Sequence, residues 1–352
     1  MTTKSPRIFL GMSGGVDSSV AAYLLKKDHK DIVGCYMKNW SQDLPGMKCP
    51  WAEDLADAKR VATMLDLDFR VFDFEIEYRR IVVDYMLEEY KKGNTPNPDI
   101  MCNEQIKFKL FFDTARKSGA DHIATGHYAK TDHVNLLRAK DANKDQTYFL
   151  YRISDEALEN TLFPLGDMQK TEVKKLAAKI KLPVAHKPES MGVCFVGEAG
   201  IREFLSEFIK TKPGEIREQQ TEKVLGVHEG AIFYTLGQRH GLYLTTGLPY
   251  YVVRKDMKNN IIYVSQNLNH PNLWQKSVKL KDVFIRKEQY DLLKDIKVRV
   301  RHRAPLTSAK FDHRTHILTF PEAQKSLTPG QSIVFYAGKN YEICLGGGII
   351  ED

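Results

Sequence analysis

The chain predicts an α/β protein: a parallel sheet with helices on both faces, then a small β-rich central domain and a C-terminal antiparallel β-barrel. Three observations carry that prediction. The apolar run Ile8-Phe9-Leu10 leads into Gly11-Met12-Ser13-Gly14-Gly15-Val16-Asp17-Ser18-Ser19 and then a helical pattern over 20–25, the order strand, glycine turn, helix. Strand-like and helix-like runs alternate through the first two hundred residues, as in a parallel sheet covered on both faces. Past about residue 210 short β-rich runs separated by turn residues take over, the texture of a small barrel. Three domains are expected, over 1–208, 209–275 and 276–352.

Taken in order, residues 32–37 read as a second strand. Leu55, Ala58, Val61, Ala62 and Leu65 share one helical face. A third strand is expected over 69–74, and a helix over 78–92 that stops at Gly93, a C-terminal glycine. A loop over 94–99 precedes a helix over 106–117, and 122–125 is a strand ending at Gly126-His127-Tyr128. Ligands of such sheets sit beyond the carboxyl ends of the strands. The glycine loop, Met37, residues 97–102 and Gly126-His127 all fall on that edge. Lys212-Pro213-Gly214 then breaks the chain. Runs at 250–253 and 261–264 form a hairpin around residues 256–260. Runs at 297–301, 316–320, 332–336 and 342–345 supply the barrel.

Composition bounds the function. Hydrophobic residues make up 42% and charged residues 28%, as in globular proteins. No run of eighteen apolar residues exists, so no spanning helix and no membrane partner are expected. The first strand follows Pro6 at once, which leaves no room for a leader and predicts a cytoplasmic, bacterial-type protein. The net charge is +7, and residues 276–303 hold ten Lys/Arg against four Asp/Glu, a local +6 that favours a polyanion. The five cysteines, Cys35, Cys49, Cys102, Cys194 and Cys344, make no C-x-x-C pair and no metal framework. In a reducing compartment they are thiols rather than structural bridges. Cys35 and Cys344 lie inside strand runs and belong to the core, and Cys49 has no assigned role.

The candidate chemistry begins at the glycine loop. Gly14-Gly15 lets backbone approach a ligand, and serine hydroxyls and amides at a helix N-terminus favour an anion, which makes a phosphate cradle. No lysine follows the glycines, so this is not the Gly-Lys-Ser/Thr loop. Cys102 follows Asn97-Pro98-Asp99, whose proline restricts the backbone. A helix expected to start near Glu104 would make its thiol more acidic and more nucleophilic. Asp99 is near enough in sequence for proton transfer. Cys194 sits in an apolar stretch between Gly192 and Gly197.

The run Ser-Gly-Gly-Val-Asp-Ser-Ser resembles the PP-loop of ATP pyrophosphatases. Further motifs follow in order: Met37-Lys38-Asn39-Trp40, Asn97-Pro98-Asp99 with Cys102, Gly126-His127-Tyr128, residues 144–150, and Gly192-Val193-Cys194-Phe195. Tyr234-Thr235-Leu236-Gly237-Gln238-Arg239, Val300-Arg301-His302-Arg303, Pro329-Gly330-Gln331 and residues 345–350 complete the series. Together they resemble the tRNA-specific 2-thiouridylase family over nearly the whole chain. Valine before Cys194, where isoleucine is common, and Glu189, where aspartate is frequent, are small departures.

The resemblance implies an adenine-nucleotide alpha-hydrolase-like first domain. ATP would lie at Gly11, Met12, Ser13, Gly14, Gly15, Val16, Asp17, Ser18, Met37 and Gly126. Mg²⁺ is expected with it; no metal ligand set is legible, beyond a slight case for Asp17. The target base would meet Asn97, Pro98 and Asp99, and tRNA would meet His127, Asp145, Gln146, Thr147, Arg301, His302 and Gln331. The implied reaction adenylates O2 of the wobble uridine. A Cys194 persulfide, charged by a cysteine desulfurase or relay protein, then replaces AMP with sulfur, directly or through hydrosulfide released by Cys102. Asp99 serves as acid/base, and the two thiols end as a disulfide. Two other readings remain at this stage. A small-molecule amidating synthetase would need the loop but not paired thiols or a basic β-rich half. A tRNA-binding protein with a dead nucleotide fold would not need the intact loop.

Overall fold

Ile8, Leu10, Ile32 and Ala124 face one side of the first sheet, and Phe9, Val33 and Ile123 the other. Strands buried on both faces need near-continuous apolar runs, which is what β1 (Arg7–Gly11) and β2 (Asp31–Lys38) have. The structure is a computed structural model that describes residues 5–29, 31–43, 45, 48–188, 200–244, 249–286 and 290–351. Helix α1 (Val16–Asp28) follows β1, α2 (Trp51–Met64) follows β2, and β3 (Asp68–Asp73) continues the sheet. With β4 (His122–Ala124) and β7 (Thr161–Leu162) the parallel order is β3-β2-β1-β4-β7. The order reverses between β1 and β4, where doubly wound sheets open a ligand crevice.

Two helical stretches differ from expectation. The helix expected over 78–92 begins three residues earlier, as α3 (Glu75–Tyr78), and runs through π-helical Arg79–Val83 into α4 (Asp84–Lys91). The helix expected from 106 begins at α5 (Pro98–Met101), continues as π-helical Cys102–Phe111 and ends in α6 (Phe112–Lys117). Proline at its first position lacks the N–H that a helix start leaves unbonded. The Asn97 side chain accepts from the Asp99 N–H at 3.2 Å, so the start is capped.

Between β4 and β7 the chain makes a hairpin, β5 (Ala129–Thr131) and β6 (Leu136–Arg138), which leaves the first sheet and pairs with the barrel instead. Then come α7 (Thr147–Leu150) and α8 (Asp155–Glu159), with α9 (Lys170–Lys179) and α10 (Ile201–Phe208) after β7. The central sheet has the order β10-β11-β8-β9, from β8 (Gly214–Glu218), β9 (Val224–His228), β10 (Tyr251–Asp256) and β11 (Ile261–Ser265). Its β10–β11 hairpin is the expected one. The C-terminal strands are β12 (Trp274–Ile285), β13 (Ile296–Arg299), β14 (Thr307–Asp312), β15 (Ile317–Lys325), β16 (Ser332–Ala337) and β17 (Ile343–Ile350). They run β12-β15-β14-β13-β16-β17, and β12 closes the ring by pairing its second half with β17. This is the expected antiparallel barrel.

The barrel is joined to the first domain by buried polar bonds. Arg299 pairs with Asp145 at 2.6 Å, Arg286 with Asp155 at 2.8 Å, and Tyr148 donates to the Ser332 carbonyl. Arg286 and Arg299 are both buried, so two of the ten cations counted over 276–303 face the protein and not a polyanion. Among the described residues no helix is long and apolar enough to cross a membrane.

Candidate active site

The glycine loop turns from β1 into α1 and is held by its own side chains. The Ser13 amide donates to Ser18 Oγ at 3.2 Å, and the Ser18 and Ser19 hydroxyls donate to the Gly15 carbonyl. No side chain caps α1, so the amides at its N-terminal end are left without a side-chain partner at the cap. Met37, at the end of β2, lies against Gly11, where a Cβ would come 3.1 Å from the Met37 methyl. Gly126, beyond β4, packs so closely on α1 that a Cβ there would stand 2.8 Å from the Ser18 amide nitrogen. Met37 and Gly126 thus flank the glycine loop at the carboxyl ends of β1, β2 and β4.

Asp17 does not face it alone. Its carboxylate accepts from Lys170 Nζ at 2.6 and 2.8 Å and from the Tyr128 hydroxyl at 3.0 Å. Lys170 opens α9, is buried, and donates its own amide to Asp141. A lysine 153 residues further along the chain thus stands beside the loop, paired with Asp17. Nothing near Lys170 in the sequence signals this; a buried lysine at a helix start is visible only once α9 is placed.

Residues 126–128 connect this cradle to the Cys102 helix. Gly126 touches α1, Tyr128 reaches Asp17, and the His127 ring lies 5.7 Å from Phe108. Burial, then the Lys107 charge, holds His127 well below the ordinary imidazole range, so it is neutral near pH 7. Its Nδ1 bonds Thr125 Oγ1 at 2.9 Å. Burial raises the Asp99 carboxyl, and Lys107 opposes the rise without cancelling it. Lys107, itself bonded to Asn103, thus acts on both groups and is a second residue that sequence reading missed.

Cys102 does not sit where its sequence setting suggests. The expected thiol just outside a helix N-terminus is instead five residues into the helix that starts at Pro98, and it is buried. Its amide donates to the Pro98 and Asp99 carbonyls, so it is not one of the open amides of the helix end. Cys35 and Cys344 are buried strand residues as expected, with burial raising the Cys344 thiol to about 12. Cys194 lies outside the described residues.

The expected RNA contacts divide. Asp145 and Thr147 are buried, 1% and 0% exposed. Asp145 accepts from Arg138, Arg299 and Thr147, so the side chains of both residues lie where the first domain meets the barrel. Gln146 accepts from the Tyr128 amide. Arg301 is exposed in the loop after β13. His302 packs 4.5 Å from Phe149, and burial, then Arg303 and Arg299, brings its pKa down to about 4, so it carries no charge for a phosphate near pH 7. Gln331 donates to the Thr95 carbonyl at 2.6 Å, which turns it toward the loop before Asn97.

Comparison with known proteins extends this geometry. Residues 6–198 match the tRNA methyl transferase HUP domain family, 202–266 its PRC-barrel domain, and 276–350 the aminomethyltransferase beta-barrel domain. The tRNA-specific 2-thiouridylase MnmA of Listeria innocua is 44% identical over 98% of this chain and 94% of its own length. The chain belongs to the tRNA-specific 2-thiouridylase family. The Staphylococcus epidermidis member of that family is 42% identical over 100% of this chain and 97% of its own. Among solved structures, the U34-tRNA thiolase NcsA from Methanococcus maripaludis overlaps 58% of this chain and 64% of its own at 17% identity and a TM-score of 0.36, too slight a likeness to argue from.

Proposed function

We propose that this protein is an ATP-dependent tRNA-uridine 2-sulfurtransferase acting on the wobble base. One arrangement carries the reading: residues 126–128 join a phosphate cradle to the helix of Asp99 and Cys102, in a chain whose full-length relatives bear the name tRNA-specific 2-thiouridylase. ATP binds with its phosphates at the α1 N-terminus and Lys170, and with its adenine between Gly11, Met37 and Gly126. The uridine, splayed from its stack, enters at Asn97-Pro98-Asp99. Attack of O2 on the α-phosphate forms the adenylated base and releases pyrophosphate. The terminal sulfur of a Cys194 persulfide then bonds to C2 and AMP leaves. As the S–S bond of the persulfide breaks, Cys102 takes the Cys194 sulfur into a disulfide, which a thiol reductant reopens. The raised pKa of Asp99 suits a group that passes a proton at this step.

Mg²⁺ enters with ATP, held by phosphates. The described residues contain no group of three potential ligands, and Asp17, the one carboxylate in the loop, is engaged by Lys170 and Tyr128, so no step is assigned to the ion. The sulfur donor is a cysteine desulfurase or a relay protein, and the setting is the cytoplasm. The three domains fall at 1–208, 209–275 and 276–352.

The test uses purified protein, unmodified tRNA, ATP and a persulfide source. Pyrophosphate and nucleosides are followed together by enzymatic assay and mass spectrometry. 2-Thiouridine should appear with pyrophosphate in equal amounts. Pyrophosphate without tRNA, or tRNA left unthiolated, would overturn the reading.

A further inference from the structure

Thr95, two residues before Asn97, is gripped from both other domains. Its amide donates to the Pro329 carbonyl at 2.9 Å, and its carbonyl accepts from Gln331 Nε2 at 2.6 Å, both across the chain from the barrel. Its hydroxyl lies 3.3 Å from that of Thr235 in the central domain. On the preceding residues, Lys255 Nζ of β10 donates to the Gly93 carbonyl. Asn94 is buried and donates to Glu89, which also pairs with Lys281 of the barrel at 3.5 Å. Gly330 has φ +90°, and a Cβ there would sit 3.0 Å from Asn94 and Thr95, so the two turns meet backbone to backbone.

The motif over 234–239, which had no assigned role, and the motif over 329–331, whose Gln331 the resemblance places at tRNA, therefore converge on one peptide unit. That unit leads directly into the capped helix start of Asn97-Pro98-Asp99. Its two backbone bonds fix both faces of the peptide chain at Thr95, and the Thr235 contact fixes its side chain.

We propose that Thr95 is a three-domain junction that sets the position of the base-binding turn, with Gln331 and Thr235 as positioning residues. The inference rests on the function proposed above. It predicts that loosening the junction lowers turnover while tRNA affinity stays. Displacement of reacting groups by about an ångström costs up to about a hundredfold in rate.

Gln331→Glu keeps the size of the side chain but cannot donate to a carbonyl, and Thr235→Val keeps shape without the hydroxyl. Each should lower kcat for 2-thiouridine formation, roughly tenfold for the first and less for the second. The tRNA Kd and the apparent KM for ATP should stay within about twofold, and the double variant should be non-additive because both act on Thr95. Gln331→Lys, which restores a donor, should recover part of the rate. Amide hydrogen exchange of the 94–101 segment should quicken in Gln331→Glu and Thr235→Val. That readout works whether or not the protein thiolates tRNA, so failure of the wild type to make 2-thiouridine strikes the functional reading alone. Weakened tRNA binding with unchanged kcat, or unchanged exchange over 94–101, would overturn the junction.

Discussion

The two halves of the candidate site are built in opposite ways. The turn of the cradle is tied locally, by hydrogen bonds between Ser13, Gly15, Ser18 and Ser19 that join residues two to five apart, and its one long-range side chain, Asp17, reaches Tyr128 and Lys170 within the same domain. The turn at Thr95–Pro98 is held from a distance, by Thr235, 140 residues away, and Gln331, 236 residues away. A local cradle keeps its shape wherever its strand and helix are placed. A turn fixed by remote domains keeps its shape only while those domains stay docked. The nucleotide half should therefore tolerate changes in the barrel, and the base half should not.

The sharpest break within the base half is Cys102→Ser. Serine preserves the packing of a small buried residue but cannot close a disulfide with Cys194. 2-Thiouridine should fall to background while tRNA-dependent pyrophosphate release persists. Normal thiolation by the variant would remove Cys102 from the reaction. The corresponding break in the cradle is Lys170→Ala. Removal of a charge aimed at a transferring phosphoryl group costs roughly 10²–10³ in rate, so pyrophosphate release should fall by that factor with tRNA affinity unchanged. The thermal melt should move little, because the Asp17 side chain keeps 34% exposure and the Tyr128 hydroxyl as donor. Undiminished pyrophosphate release would make the Lys170–Asp17 pair purely structural.

A third change separates function from stability. Burial holds the Asp99 carboxyl above its ordinary value. An acid whose pKa is raised on folding costs stability as pH climbs from the unfolded value, about 3.9, through the folded one, and the cost is complete above both. Asp99→Asn should thus lower thiolation strongly and raise the melting temperature near pH 7. The stability gain should vanish below about pH 3.9. A variant less stable than wild type at neutral pH would mean that hydrogen bonding of the carboxylate, and not burial, governs the group.

The contrast also explains what was legible in the sequence. The cradle could be read because contiguous residues both form it and reveal it. The sheet and barrel were legible through apolar runs such as 8–10 and 332–336, whose burial on both faces or alternate faces leaves a pattern. The start of the Cys102 helix was not, because Pro98 reads as a loop residue until Asn97 is seen capping it. Lys170 and Lys107 look like any lysines on helices. Asp145 and Thr147 read as exposed polar residues because their partners, Arg299 and Tyr336, lie 154 and 189 residues away. The β5–β6 hairpin joins the barrel by two residue pairs, too few to mark the sequence.

The smallest expected effect lies outside both halves, at Arg301. It is exposed in the loop after β13, next to His302, which is neutral, and near Arg299, which is turned inward to Asp145. Of these three neighbours Arg301 is therefore the one that can offer charge to a phosphate. Arg301→Ala should weaken tRNA binding modestly and make its dependence on salt shallower by about 0.7 in log–log slope, the release of counterions from one contact. Adenylation at saturating tRNA should stay as in the wild type, since neither the cradle nor the Thr95 junction is touched. If Arg301 instead shields apolar barrel surface with its stem, the melting temperature would fall and the salt slope would not change. Filter binding over a salt series, paired with a thermal melt, separates the two. An unchanged slope in a normally folded variant would move the RNA path away from the loop after β13 and leave the exposed lysines of β12 as the next surface to test.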